Sequence, residues 1–181
     1  MTAPGSVQIR PAQEADLPSI LAIINREIVH GVAHFGTQPM SLETLAAQFA
    51  REAMRYPWLA AIDARSGAML GFAKAGPWKS RGAYAWTTEI GVYVEAAARG
   101  RGVGRALYDT LLPMLRAAGF RTVLAGIALP NDASVRLHEA VGMRPCGVFP
   151  KVGYKLGAWR DVGYWALRFG DDEAPTAPTD Q

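Results

Sequence analysis

The sequence predicts an α+β fold, a mixed central sheet flanked by helices. Three observations carry this prediction. Residues 86–94 alternate as a strand does, with Trp86, Thr88, Ile90, Val92 and Val94 on one face and Thr87, Glu89, Gly91 and Tyr93 on the other. Directly after it, Arg99-Gly100-Arg101-Gly102-Val103-Gly104 opens a segment whose apolar positions Val103, Leu107, Leu111, Met114 and Leu115 repeat with a helical period. The elements then follow in the order strand, two helices, three antiparallel strands, helix, strand, helix, two strands.

Each element has its own local reason. Val7-Gln8-Ile9-Arg10 reads as a first strand. Asp16 stands where a helix cap belongs, before Leu17, Ile20, Leu21, Ile24 and Ile28 at helical spacing. Ser41 caps a second helix, with Met40 and Leu45 placed to form a hydrophobic staple and Pro57 to end the stretch. Residues 58–63 and 69–75, joined by Arg65-Ser66-Gly67, form a hairpin. In the third helix Gly119 is a natural stop, whereas Pro113 should kink it or cost about 3 kcal/mol. Residues 121–129 are an apolar buried strand, and Asn131 or Asp132 caps a short helix stopped by Gly142. Residues 148–169, rich in Gly, Trp and Tyr, form two strands with a turn near Gly157. One domain over residues 7–169 is expected, after a short extension (1–6) and before a disordered tail (170–181).

Composition narrows the function. Half the residues are hydrophobic, enough for a buried core. No apolar run reaches the roughly 18–20 residues that span a bilayer, so no membrane association is expected. Residues 1–7 carry no secretory signal, and Cys146 is the sole cysteine, which excludes an internal disulfide and fits the reducing cytoplasm. His30, His34 and His138 show no metal-binding spacing, so no metal is assigned. The net charge of +3 has one dense spot, Arg99, Arg101 and Arg105 among glycines. That suits a local phosphate site better than a nucleic-acid surface.

Alternating glycines between a strand and a helix let the backbone approach a bound group. The free N–H groups and positive dipole end of the helix then favour a phosphate. A Walker loop is excluded because Gly-Lys-Ser/Thr is missing, and a Rossmann fingerprint because the spacing differs and antiparallel strands precede the loop.

These residues resemble the GNAT superfamily of acyltransferases. Arg99-Gly100-Arg101-Gly102-Val103-Gly104 matches its R/Q-x-x-G-x-G/A signature, and Asn131 to Met143 resembles its next motif. Tyr56-Pro57-Trp58-Leu59, Ala75-Gly76-Pro77-Trp78-Lys79, Ala83-Tyr84-Ala85-Trp86-Thr87, Leu129-Pro130-Asn131-Asp132 and Trp159-Arg160-Asp161-Val162-Gly163 resemble the phosphinothricin and methionine sulfoximine N-acetyltransferase branch. The likeness runs from about residue 7 to 169. It implies a GNAT fold splayed at the central strand, acetyl-CoA as acetyl donor, a small amino acid as acceptor and a homodimer, with Trp159, Tyr164 and Trp165 as interface candidates.

The resemblance also implies roles. Glu89, a lone carboxylate in an apolar strand, would be the general base; on the residues alone it equally suits a solvated position. His138 would act on a proton at the thiolate or the amine; alone, it reads as a satisfied histidine on an amphipathic helix. The backbone of Val92, Tyr93 and Val94 would pair with pantetheine. Arg99, Gly100, Arg101, Gly102, Val103, Gly104 and Arg105 would hold the pyrophosphate, and Asn131 would contact the pantetheine side. Phe35 would cover the acceptor, although His34 and Gly36 beside it depart from the branch's Asn and Arg. Lys79 and Arg81 would hold an acidic or oxygen-rich acceptor, or simply sit on a solvated loop. Tyr108 would line the pocket or pack its helix. The competing readings are an N-acetyltransferase for another small amino acid or amine, and a non-catalytic acyl-CoA-binding sensor or scaffold domain, against which the retained glutamate and glycines argue.

Overall fold

A computed structural model describes residues 7–170; the expected extension and nearly all of the expected tail lie outside the described residues. Seven strands form one sheet: β1 (Val7–Pro11), β2 (Trp58–Asp63), β3 (Met69–Pro77), β4 (Thr87–Val94), β5 (Thr122–Leu129), β6 (Arg144–Lys155) and β7 (Ala158–Arg168). Their spatial order is β1-β2-β3-β4-β5-β7-β6, antiparallel except for β4 against β5. Four helices pack on it: α1 (Leu17–His30), α2 (Leu42–Glu52), α3 (Val103–Ala117) and α4 (Asp132–Ala140).

The alternation of each strand decides which layer it feeds. On β3, Phe72 turns toward α1 and α2, where Ile20, Ile24, Leu45 and Trp58 are buried. Ala73 and Ala75 turn the other way, under Leu107, Leu111 and Leu115 of α3. On β4, Ile90, Val92 and Val94 join the α3 layer, and Tyr93 the opposite one, as the alternation requires. Each fully buried aliphatic side chain contributes about 1.5–3 kcal/mol, so both faces are needed to hold the sheet.

The parallel pair is the feature that matters for function. β4 and β5 pair only through Thr87↔Thr122, Thr88↔Val123 and Glu89↔Leu124, and then part. From Ile90 to Val94, β4 keeps β3 on one side and has no strand on the other. This is the splay that the resemblance implies.

Several local expectations change. Asp16 precedes α1 but does not cap it with its side chain. Its carboxylate binds Arg10 at 2.6 and 2.8 Å and the Gln13 N–H at 2.8 Å, and the Arg10 guanidinium holds its pKa below the usual range. In α3 the fully buried position is Tyr108 rather than Met114, which is exposed. Pro113 lies inside α3 without breaking it. It sits on the solvent face, as does Asp109, so water reaches the carbonyl that loses its helical partner. β6 starts at Arg144, earlier than the residue 148 expected. The β6–β7 turn places Leu156 and Gly157 at positive φ, the geometry of a tight two-residue hairpin. Trp165 is buried in the core and donates to Glu139 at 3.2 Å, so it is unavailable to a partner surface.

Candidate active site

Two hollows meet at the splay. The larger, about 730 Å³, lies on the α1–α2 side and is lined by Phe35, Lys74, Lys79, Glu89, Phe149 and Tyr164 among others. The smaller, about 50 Å³, lies beyond the gap against Val92, Asn131, Ser134 and His138. Ala33, Ile90, Gly91, Tyr93, Gly126 and Ala128 border both. A group attached in one hollow can therefore reach an atom held in the other.

Glu89 lines the larger hollow beside Gly126, which borders both. A Cβ built on Gly126 would lie 3.3 Å from Glu89 Oε1, so the carboxylate reaches across to β5 at a residue whose missing side chain leaves it room. No hydrogen bond to another side chain or to the backbone occupies that carboxylate among the described residues. Burial raises its pKa above the ordinary glutamate value, opposed by the charges of Lys79 and Lys74. A carboxylate that is unpaired, partly dehydrated and still near cations is a competent proton acceptor.

His138 is buried on α4. Its Nδ1 lies 2.7 Å from the Ser134 carbonyl oxygen, which requires Nδ1 to carry the proton and donate. Its Nε2 then accepts from the Tyr108 hydroxyl at 2.9 Å. Burial lowers the pKa of His138 and raises that of Tyr108, so a neutral imidazole and an intact phenol face each other. Tyr108 is fully buried by this contact and lines neither hollow, which corrects its placement in the acceptor pocket. Tyr93 stacks on Phe72 with centroids 5.1 Å apart, and burial pushes its pKa up to about 12.

Below the smaller hollow, Gly100 and Gly102 have φ of 73° and 78°, and nothing lies within 4 Å of a Cβ built on either. The first backbone bond into α3 runs from Ala106 N–H to the Gly102 carbonyl at 3.0 Å. The N–H groups of Val103, Gly104 and Arg105 precede it and face the open loop. A helix start of this kind suits an anion. The three arginines are not equivalent. Arg99 pairs with Glu27 at 3.0 Å and Arg105 with Asp109 at 2.7 Å, whereas Arg101 forms no ion pair among the described residues. Asn131 caps α4 by accepting from the Ser134 N–H at 3.1 Å, and so also borders the smaller hollow.

The larger hollow differs from expectation at one cation. Lys79 lines the larger hollow, its Nζ 5.0 Å from the Trp78 ring centroid. Arg81 is exposed and does not line it, because it precedes a short 3-10 turn (Gly82–Tyr84) that carries it outward. Lys74 is the second lysine there, with Gln48 and Glu52 of α2 nearby. The signal for Lys74 was present: like Glu89, it is a lone charge within an apolar strand. Phe35 packs on Gly153 of β6, where an added Cβ would lie 2.3 Å from its ring. The loop bearing Phe35 is held by Lys155, whose buried ammonium donates to the carbonyls of Glu27 and His34.

No group of three or more metal-ligating side chains occurs, and no helix is long and apolar enough to cross a membrane, among the described residues.

Comparison with known proteins agrees with this architecture. Residues 22–143 match the Acetyltransferase (GNAT) family. A phosphinothricin N-acetyltransferase of Streptomyces viridochromogenes is 44% identical over 172 residues, covering 95% of this chain and 91% of that protein. An L-methionine sulfoximine/L-methionine sulfone acetyltransferase of Salmonella typhimurium is 34% identical, covering 93% and 98%. The crystal structure of a GNAT superfamily phosphinothricin acetyltransferase from Sinorhizobium meliloti in complex with AcCoA superposes with a TM-score of 0.90 at 34% identity, covering 94% and 93%. With its splayed parallel pair, its glycine turn and these relatives along nearly its whole length, the chain belongs to the GNAT family of acetyltransferases.

Proposed function

We propose that this protein transfers the acetyl group of acetyl-CoA to the α-amino group of a small amino acid of the phosphinothricin or methionine sulfoximine/sulfone type. The observation that carries the reading is Glu89, unpaired in the larger hollow and reaching across to Gly126, which borders both hollows. In this reading the acceptor lies in the larger hollow and the pantetheine arm along the open edge of β4, at Val92, Tyr93 and Val94. Glu89, directly or through a water, takes a proton from the ammonium. The amine nitrogen then attacks the thioester carbonyl carbon, backbone donors of β4 face the developing oxyanion, and the carbon–sulfur bond breaks. The second proton of the attacking nitrogen, released as the amide forms, passes to the departing thiolate on the side where His138 sits. Its ring is neutral and both nitrogens are engaged, by the Ser134 carbonyl and the Tyr108 hydroxyl, so His138 would pass that proton on as a relay by exchanging one of these bonds rather than act as a standing acid.

The pyrophosphate would rest on Gly100, Gly102, Val103 and Gly104, with Arg101 free to add charge and Arg99 and Arg105 able to exchange exposed ion pairs of small worth. Asn131 would border the pantetheine end, Phe35 would cover the acceptor, and Lys79 would hold its α-carboxylate. A free-thiol release assay with acetyl-CoA tests the whole reading against phosphinothricin, methionine sulfoximine, methionine sulfone and unmodified methionine. Rapid thiol release with the first three, and slow release with methionine, is the expected result. Release with none of them would overturn the substrate assignment.

Homodimerisation is a further part of the proposal, as is a cytoplasmic location. β6 is an edge strand, and Val148, Phe149, Val152, Tyr154, Leu156 and, on β7, Trp159 are each more than half exposed. An edge carrying so much apolar surface suits burial against a second copy. Light scattering should give twice the chain mass, and Val152→Asp should shift it toward the monomer; a monomeric wild type would remove the dimer.

A further inference from the structure

The larger hollow carries two lysines at different depths, and the geometry points to Lys74 as the residue that holds an anionic group at the end of the acceptor's side chain. The inference rests on the amino-acid acetyltransferase reading and assigns the specificity within it. Lys74 lies on β3 opposite Gly91, and Gly76, two residues on, lies opposite Glu89. Lys74 and Glu89 thus share one face of the sheet, and the glycines opposite and beside them leave that face open above.

The Lys74 ammonium is held but not satisfied. Its Nζ lies 4.8 Å from the Trp58 ring centroid, which fixes its direction. Among the described residues no acceptor bonds it and no carboxylate comes within ion-pairing distance. Glu52, the acidic residue beside it in the lining, is engaged by Gln48 at 2.9 Å and by Arg51 at 2.8 Å. Burial lowers the Lys74 pKa, opposed by the more distant charges of Glu52 and Glu89. An anion entering the hollow would supply that partner.

The two lysines divide the acceptor between them. Both lysines act on the charge of Glu89. The α-carboxylate, one carbon from the attacked amine, stays with Lys79, which is exposed and lies past the end of β3, as in the proposed function. Lys74 is two strand residues from the position opposite Glu89, a displacement of roughly 6–7 Å. That is the reach of an extended amino-acid side chain, which brings a phosphinate to Lys74 and leaves a neutral sulfone with a weaker contact.

Calorimetric titration of the CoA-loaded protein with phosphinothricin and with methionine sulfone tests this. Lys74→Met keeps the apolar stem on Trp58 and removes only the charge. It should weaken phosphinothricin binding roughly 10- to 100-fold and methionine sulfone binding by less than about 3-fold, with Lys74→Arg restoring much of the loss. Equal losses on both ligands, no loss on either, or wild-type protein that binds no phosphinothricin would overturn the assignment. Binding that depends on Lys74 without thiol release would uphold the anion site and reject the acetyltransfer reading.

Discussion

Glu89→Gln should lower turnover by roughly 10²- to 10⁴-fold while leaving acetyl-CoA affinity nearly unchanged. The amide keeps the shape of the side chain beside Gly126 and removes the proton acceptor. The wild-type rate should rise with pH through the pKa of Glu89, which burial places above the ordinary glutamate value, and the variant should lose that limb. Its deficit should narrow at high pH, where more of the free amine is already deprotonated. Stability should move the opposite way. A carboxyl whose folded pKa is raised binds more protons folded than unfolded, so its contribution declines as pH rises from the unfolded pKa through the folded one. Above that window Glu89→Gln should melt no lower than wild type, which separates loss of the base from loss of the fold. A variant with near-normal rate at neutral pH would exclude Glu89 as the base. The measurements are a pH–rate profile with thiol detection and a thermal melt at two pH values.

Gly102→Val should weaken acetyl-CoA binding by roughly 10- to 100-fold, the equivalent of one or two lost charge-assisted contacts from the backbone. Two effects add. At φ of 78° a β-branched residue is strained, which displaces the turn that presents the Val103 and Gly104 N–H groups. The open space over Gly102, where no atom lies within 4 Å of a built Cβ, would also be filled by the new side chain. Gly102→Ala should lose less, since it adds strain with little bulk. Calorimetry on protein with a native circular dichroism spectrum checks both variants. Unchanged affinity in Gly102→Val would place the phosphates elsewhere.

How much of this was legible beforehand depends on whether the signal was local. The alternation on β4, the helical period of α3 and the Ser41 cap, which accepts the Thr44 N–H at 3.1 Å, are properties of adjacent residues and appear in the structure as read. The glycine turn ahead of α3 was equally legible, because alternating glycines ahead of a helix form one continuous segment. Two of the misread residues answer to partners on another element. Asp16 is drawn from its cap by Arg10 on a strand, and Tyr108 is drawn inward by His138, 30 residues on. Arg81 was grouped with Lys79 by proximity in sequence, but the turn after it carries it away from the hollow.

The sequence by itself determined the order of the elements, the central strand–loop–helix unit and, through motifs, the family. Periodicity and glycine placement act over a few residues, and so they survive without knowledge of what packs on them. Only the tertiary structure decided where β4 and β5 part, that Glu89 reaches Gly126, and that Lys74 rather than Arg81 is the second cation lining the larger hollow. The physical reason is that an open edge, a missing partner and a desolvated charge are relations among elements. No single segment contains them, and they arise when α1 and α2 close over one face of the sheet and α3 over the other.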